Sequence, residues 1–266
     1  MRFYLSYFKL RFISGLQYRF AAIAGILTQF FFGIVIIMVY LAFYDSNVTV
    51  PMTIAETVTY LWLNQCFYSL LSLEYKDNEI VNMIKKGEIV YELTRPKNVY
   101  FMWFFKVVGQ RLSMATLKSI PFVIVLLILP YPYKLLPPNS LPAFLLFMVS
   151  IFVGIFLMAS VITFFNVIVL KTMDEKGITT IFGALADLFS GGFVPIPFFP
   201  GFLQKIADFL PFKYVSDVPF RIYSGNISLY DGLYGILIQL LWCVILITIG
   251  YLSTKRLLKR VVVQGG

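Results

Sequence analysis

The sequence predicts an all-α integral membrane protein with six transmembrane helices, and three observations carry that reading. Hydrophobic residues make up 59% of the 266-residue chain and charged residues only 13%, with a mean hydropathy of +0.83, too apolar for a water-soluble domain. Apolar runs long enough to cross about 30 Å of hydrocarbon, roughly 20 residues each, recur along the whole chain. The basic residues are divided unevenly between the connections: with the N-terminus inside, 17 of the 22 fall on the inner side, four on the outer side and Lys118 within a span. That bias places both termini in the cytoplasm. The net charge of +9 therefore marks membrane orientation, and the reading includes the lipid bilayer as a partner and no nucleic acid.

Residues 1–19 are aromatic and basic. Arg2 and Lys9 share a helical face while Arg11 points nearly opposite, so the segment reads as an interfacial elbow helix of imperfect amphipathicity. The apolar run 20–43 is too long for a signal peptide, and no small-x-small site follows it, which makes it the first span. Thr53 and Glu56 fit a capping box opening the second span, 54–74. That span carries Tyr60, Asn64, Phe67 and Leu71 at i, i+4, i+7 and i+11, a face that should avoid lipid either by ordinary helix packing or by lining a path.

Segment 78–97 is the longest polar interruption between spans. Asp77 or Asn78 can cap a surface helix in which Glu79 favours the positive end of the dipole and Lys85 and Lys86 the negative end, with Gly87 as a left-handed stop. Ile80, Met83 and Ile84 then share one face. This stripe docks a partner, lies on lipid or packs under its own bundle. Glu88 restarts a short turn, and Arg95-Pro96 closes it.

Residues 98–129 are too many for one crossing, so the part with Trp103, Lys106 and Arg111 is expected at the inner interface, with the third span over 112–129. The prolines from Pro130 to Pro138 mark an outer loop, and the fourth span covers 141–170. The turn from Lys171 to Gly177, with Asp174 and Glu175, is either solvated or a second partner contact. The fifth span, 178–194, carries Gly183, Asp187 and Ser190 at i, i+4 and i+7. A carboxylate at mid-membrane costs on the order of 3 kcal/mol, to be offset for Asp187 by Lys118 at similar depth, by a paired subunit or by water. Five prolines between 195 and 219 forbid a continuous helix, yet the stretch is too apolar for a solvated loop. It is expected to form broken re-entrant helices over 195–228 on the outer side. Ser228 with Asp231 caps the sixth span, 233–254.

With no histidine, and with Cys66 and Cys243 both inside spans, the usual zinc sites, Cys/His nucleophiles and disulfide frameworks are excluded. No G-x-x-x-x-G-K-[ST] phosphate loop is present. Asn226-Ile227-Ser228 matches a glycosylation sequon on the outer side. No soluble domain boundary, repeat or low-complexity tract appears, and residues 1–266 read as one transmembrane domain.

Two motif regions carry a resemblance. The run Gly87-Glu88-Ile89-Val90-Tyr91-Glu92-Leu93-Thr94-Arg95-Pro96 is similar to the G-E-I, two or three residues, L-x-R-P signature of ABC-2 type exporter permeases. The pattern S-G-G-x-x-P-x-x-x-x-P from Ser190, followed by L-P-F and P-x-x-I-Y-S-G and by the ending Val263-Gln264-Gly265-Gly266, resembles the subgroup found beside a partner permease. The resemblance implies that the 78–97 loop is a cytoplasmic coupling helix docking on an ATPase through Ile80, Met83, Ile84, Glu88 and Arg95. It implies that Tyr60, Asn64, Phe67, Gly183, Asp187 and Ser190 line the translocation path. It further implies a separate ATPase chain holding ATP and Mg, no cofactor in this chain, a second six-span permease, and a bacterial plasma membrane. The other readings are a membrane-embedded enzyme or an ATP-independent ion-coupled carrier, either one using Asp187 and Lys118.

Overall fold

A computed structural model describes residues 2–45, 50–73, 78–89, 97–172 and 176–259, and among these residues it contains helices and turns without a strand. In chain order they are α1 (Arg2–Gly15), α2 (Arg19–Tyr44), α3 (Ile54–Leu71), α4 (Asn78–Lys85), α5 (Val99–Ile128), α6 (Leu141–Thr172) and α7 (Lys176–Phe189). A 3₁₀ turn (Ile196–Phe198), α8 (Gly201–Phe209), α9 (Lys213–Ser224) and α10 (Leu229–Leu258) follow.

Local chemistry sets several of these ends. Thr53 Oγ1 accepts the Glu56 amide at 3.2 Å while Glu56 Oε2 accepts the Thr53 amide at 2.8 Å, the reciprocal capping box expected at the start of α3. Ser228 Oγ accepts the Asp231 amide at 3.1 Å and opens α10. Gly87, at φ +70°, takes the left-handed conformation that stops α4, where a Cβ would be strained. Asn98 Oδ1 accepts the Tyr100 amide at 3.0 Å and caps α5. From that cap the helix runs unbroken to Ile128. The expected division into an interfacial segment and a separate 112–129 span is therefore corrected: no proline stands between Val99 and Ile120, and Pro121 is carried inside the helix.

Among the described residues, four helices are long and apolar enough to cross a membrane: α2, α5, α6 and α10. The expected second and fifth spans are helices of 18 and 14 residues, α3 and α7. Helix α3 turns Thr57, Thr59, Asn64 and Ser69 into the protein, which lowers its hydropathy without exposing polar groups to lipid. Helix α7 rises only about 21 Å at 1.5 Å per residue.

Helix α6 is the centre of the bundle. It packs on α3, α4, α5, α7, α9 and α10, and 67% of its most apolar window is buried against 22% for α2. The close contact with α9 needs a glycine: a Cβ at Gly154 would stand 2.9 Å from the Val215 carbonyl. Helix α2, at the periphery, exposes Phe20, Ile23, Leu27 and Phe31, a face that only lipid suits. One end of the bundle gathers α1, α4 and the ends of α5, α6 and α10 and is rich in Lys and Arg. The opposite end holds the proline-rich connections, where Trp62 Nε1 donates to the Tyr133 carbonyl at 2.6 Å.

Helix α1 runs alongside the first half of α5, with Tyr4 stacked on Phe105 at a centroid distance of 5.7 Å and its hydroxyl accepting the Asn98 amide at 3.0 Å. The approach is set at Gly109, where a Cβ would stand 2.9 Å from the Phe8 carbonyl. Backbone cannot yield as a side-chain end can, so Gly109→Leu should force α1 off α5. Overpacking of this kind costs about 1–3 kcal/mol. Limited proteolysis of the purified chain should then show cleavage within residues 1–18 accelerated roughly tenfold, and an unchanged rate would mean that α1 is not held there.

Candidate functional site

At the basic end, Glu79 of α4 is gripped from two sides. Arg11 of α1 approaches it bidentately, Nη1 to Oε2 at 2.9 Å and Nη2 to Oε1 at 2.7 Å, and Lys106 Nζ of α5 lies 3.0 Å from Oε2. Lys106 is 1% exposed, and a buried ammonium is costly without a counter-charge of this kind. Burial pushes the Glu79 carboxyl up, but the bonds from Arg11 and Lys106 outweigh it and hold the group below its usual 4.5. The Arg11 guanidinium, lowered by burial, is raised overall by its bonds to Glu79 and Tyr7. Beside this clasp, Ile80 and Ile84 are buried and cluster with Ile89, Tyr100, Trp103, Val167 and Leu170. Asn82, Lys85, Lys86 and Glu88 face outward, and Met83 is half-buried.

Toward the proline-rich end a second polar cluster ties α3 to the turn after α7. Asn64 Nδ2 donates to the carbonyls of Gly191 and Gly192, both at 3.0 Å. The Tyr60 hydroxyl donates to Asp217 Oδ1 at 3.0 Å. Asp217, wholly buried on α9, also accepts the Ile196 amide at 3.2 Å and has Arg221 Nη1 3.6 Å from Oδ2. Gly191 sits at φ +80°, and a Cβ there would lie 2.2 Å from the Tyr60 oxygen. Asn64, Phe67, Asp187 and Ser190 line one cleft of about 10 Å³ between α3 and α7, room for about one water.

A third feature is a half-open cavity of about 800 Å³ bordered by α1, α2, α3, α4 and α5, with Gln29, Gln110, Arg111 and Lys118 in its wall. Arg111 donates to the carbonyls of Ser69 and Ser72 at 3.0 and 2.7 Å. Lys118 faces α2 at Gly25, where a Cβ would stand 2.5 Å from Nζ.

The family model described as ABC-2 family transporter protein matches residues 26–265, nearly the whole chain. The chain belongs to that family. No curated protein matches its sequence. Family and apolar helices together make it a multi-pass membrane protein, the permease component of an ABC transporter.

In this ABC-2 permease the structure brings together Asn64, Phe67, Asp187 and Ser190, sets Tyr60 beside them and buries Gly183 on the same face of α7. Two expectations are corrected. Ile80 and Ile84 are 0% and 2% exposed and therefore cannot be a free docking knob; the apolar stripe is used to seat α4 on α5 and α6. Lys118 and Asp187 form no ion pair: Lys118 lines the large cavity and Asp187 the small cleft, two spaces that adjoin at Tyr68 and Ser72. Arg95, Asp77, Asp174 and Glu175 lie outside the described residues. Sequence reasoning missed Asp217 and the clasp. Asp217 and Arg221 at i and i+4 in a segment too apolar for a loop were the available signal for the first. The partners of Glu79 come from 68 residues before it and from a neighbouring helix after it, and no local pattern joins them.

Charging the seat of α4 should be severe. Each buried isoleucine contributes roughly 1.5–3 kcal/mol, so Ile80→Asp with Ile84→Asp should collapse the thermal melt of the isolated permease, and a wild-type melt would refute the packing. The clasp makes a separate, pH-dependent contribution. Since the folded Glu79 carboxyl lies below its unfolded value, its contribution is complete above 4.5 and is lost as pH falls through the folded value. Melts recorded from neutral pH downward should show this loss in the wild type and not in Glu79→Gln; identical profiles would count against the clasp.

Proposed function

We propose that this chain is the six-span transmembrane subunit of an ATP-driven exporter, with α3 and α7 as the second and fifth spans, α4 as the coupling helix, and ATP and Mg held by separate ATPase subunits. The observation that carries the proposal is the build of α4: its apolar side is seated on α5 and α6, its Glu79 is clasped to α1, and Lys85, Lys86 and Glu88 are presented outward. A helix held in this way transmits a push on its outer face to three elements of the bundle at once. Ile80 and Ile84 therefore act in coupling from the inside, as the seat of the lever, and the charged face meets the ATPase.

The bias of basic residues supports a cytoplasmic position for α4 and both termini, in the plasma membrane of a bacterial cell. A chain with no phosphate loop needs two ATPase subunits and a second six-span permease, related or identical, to complete a pump. The walls of the cleft at Phe67, Phe220, Asn64 and Asp187 are aromatic and weakly polar, a surface that would suit an amphiphilic substrate such as a drug, an antibiotic peptide or a lipid-like molecule once a cleft of about 10 Å³ is opened. The proline-broken stretch, in which α9 packs against α3, α6 and α10 while α8 packs on the 3₁₀ turn, supports a re-entrant region over 195–228 of the outer leaflet.

Lys85→Glu with Lys86→Glu tests the lever. We expect the melt of the permease to match wild type while co-purification of the ATPase falls at least about tenfold, the loss of roughly 1.4 kcal/mol at an interface. Retained ATPase binding would remove this face from coupling, and transport by the permease purified alone would overturn the ATP-driven reading.

A further inference from the structure

The 800 Å³ cavity among α1 to α5 shares Arg11 and Glu79 with the clasp, but its other polar groups lie outside it, and their chemistry is specific. Lys118 makes no hydrogen bond or ion pair among the described residues, although a lysine within a span ordinarily pairs or reaches for the interface. Arg111 stands seven residues earlier, two turns away on the same face of α5, and its guanidinium is oriented by the Ser69 and Ser72 carbonyls. Among the described residues, the carboxylate in the wall is Glu79, which is engaged by Arg11 and Lys106. Gln110 Oε1 is a buried acceptor without a partner, and Gln29, 8% exposed, adds a further polar group. Gly25 keeps α2 clear of the Lys118 ammonium.

The position of the cavity matters as much as its charge. Gly25 lies six residues into α2, about 9 Å beyond Arg19, which is the depth of lipid headgroups and the first methylenes at the basic end of the bundle. On the outer surfaces of the same two helices, α2 exposes Leu27 and Phe31, and α5 exposes Ile120 and Ile124, apolar surfaces that face the bilayer.

We infer that this cavity binds the phosphate headgroup of an anionic lipid of the inner leaflet, with Lys118 and Arg111 on the phosphate, Gln110 accepting from a headgroup hydroxyl, and the acyl chains lying against α2 and α5. Cations at the inner leaflet recognise anionic headgroups in this way.

The test uses the full chain in phosphatidylcholine nanodiscs with and without a minority of phosphatidylglycerol, followed by detergent extraction and counting of the phosphatidylglycerol that stays bound. Wild type should retain about one such lipid per chain and melt higher in its presence. Lys118→Gln should reduce retention roughly fivefold, the worth of one basic residue against an anionic headgroup, and Gly25→Leu, which fills the cavity without changing its charge, should do the same. Lys118→Arg should restore retention, and Lys205→Gln at the opposite end should leave it unchanged. Melts in pure phosphatidylcholine identify any variant that fails to fold, in which case the remaining variants decide. Equal retention in wild type, Lys118→Gln and Gly25→Leu overturns the site. Equal protection of the wild type by inorganic phosphate or glycerol phosphate in pure phosphatidylcholine overturns its assignment to a lipid.

Discussion

The ammonium of Lys106 is buried almost completely, and the architecture of the basic end follows from the need to neutralise it. Removing a lone cation from water costs several kcal/mol, and the cost is met only by a close counter-charge with further hydrogen bonds. Glu79 meets that need from α4, and Arg11 completes it from α1. Three helices distant in sequence are thereby joined at one carboxylate. Helix α4 cannot lift away without uncovering Lys106 and also exposing Ile80 and Ile84. A short helix of eight residues, too short to be stable alone, is in this way built firmly into the protein.

The same constraint, with the sign reversed, organises the other polar cluster. Asp217 is wholly buried on α9, and its oxygens are met by a tyrosine hydroxyl from α3, a backbone amide and an arginine one turn on. Gln239 of α10 donates to the Tyr214 carbonyl at 2.6 Å and Ser216 to the Ser190 carbonyl at 2.8 Å, so α9 is stitched to α10 and to the end of α7. In a medium without water these bonds cannot be traded for solvent. They explain how a proline-broken apolar segment keeps a defined place against α6.

Between these two clusters, α3 meets the turn after α7 along a short seam beside a cleft of about 10 Å³. The bonds across it, from the Asn64 amide to the Gly191 and Gly192 carbonyls, are between neutral groups, each with a net worth of about 0.5–1.5 kcal/mol. The contrast between ion-paired clusters and a neutral seam is a property of where the charges are buried.

The sequence by itself determined what depends on composition and neighbours along the chain. The apolar runs, the cap at Thr53 and Glu56, the start of α10 at Ser228, the left-handed stop at Gly87 and the breaking of 195–228 by prolines all follow from local backbone and solvation physics, and the inward face of α3 follows from helical spacing. The tertiary structure decided where each charge finds its partner. Lys118 and Asp187 looked paired because both are charges within spans, but depth is a single coordinate, and the two line different spaces. Ile80 and Ile84 looked like a docking knob because an amphipathic stripe states that a face must be covered without stating by what. Which helix lies on the other side of a face is fixed by packing among residues far apart in the chain, and so the Glu79 clasp and the burial of Asp217 are visible only in three dimensions.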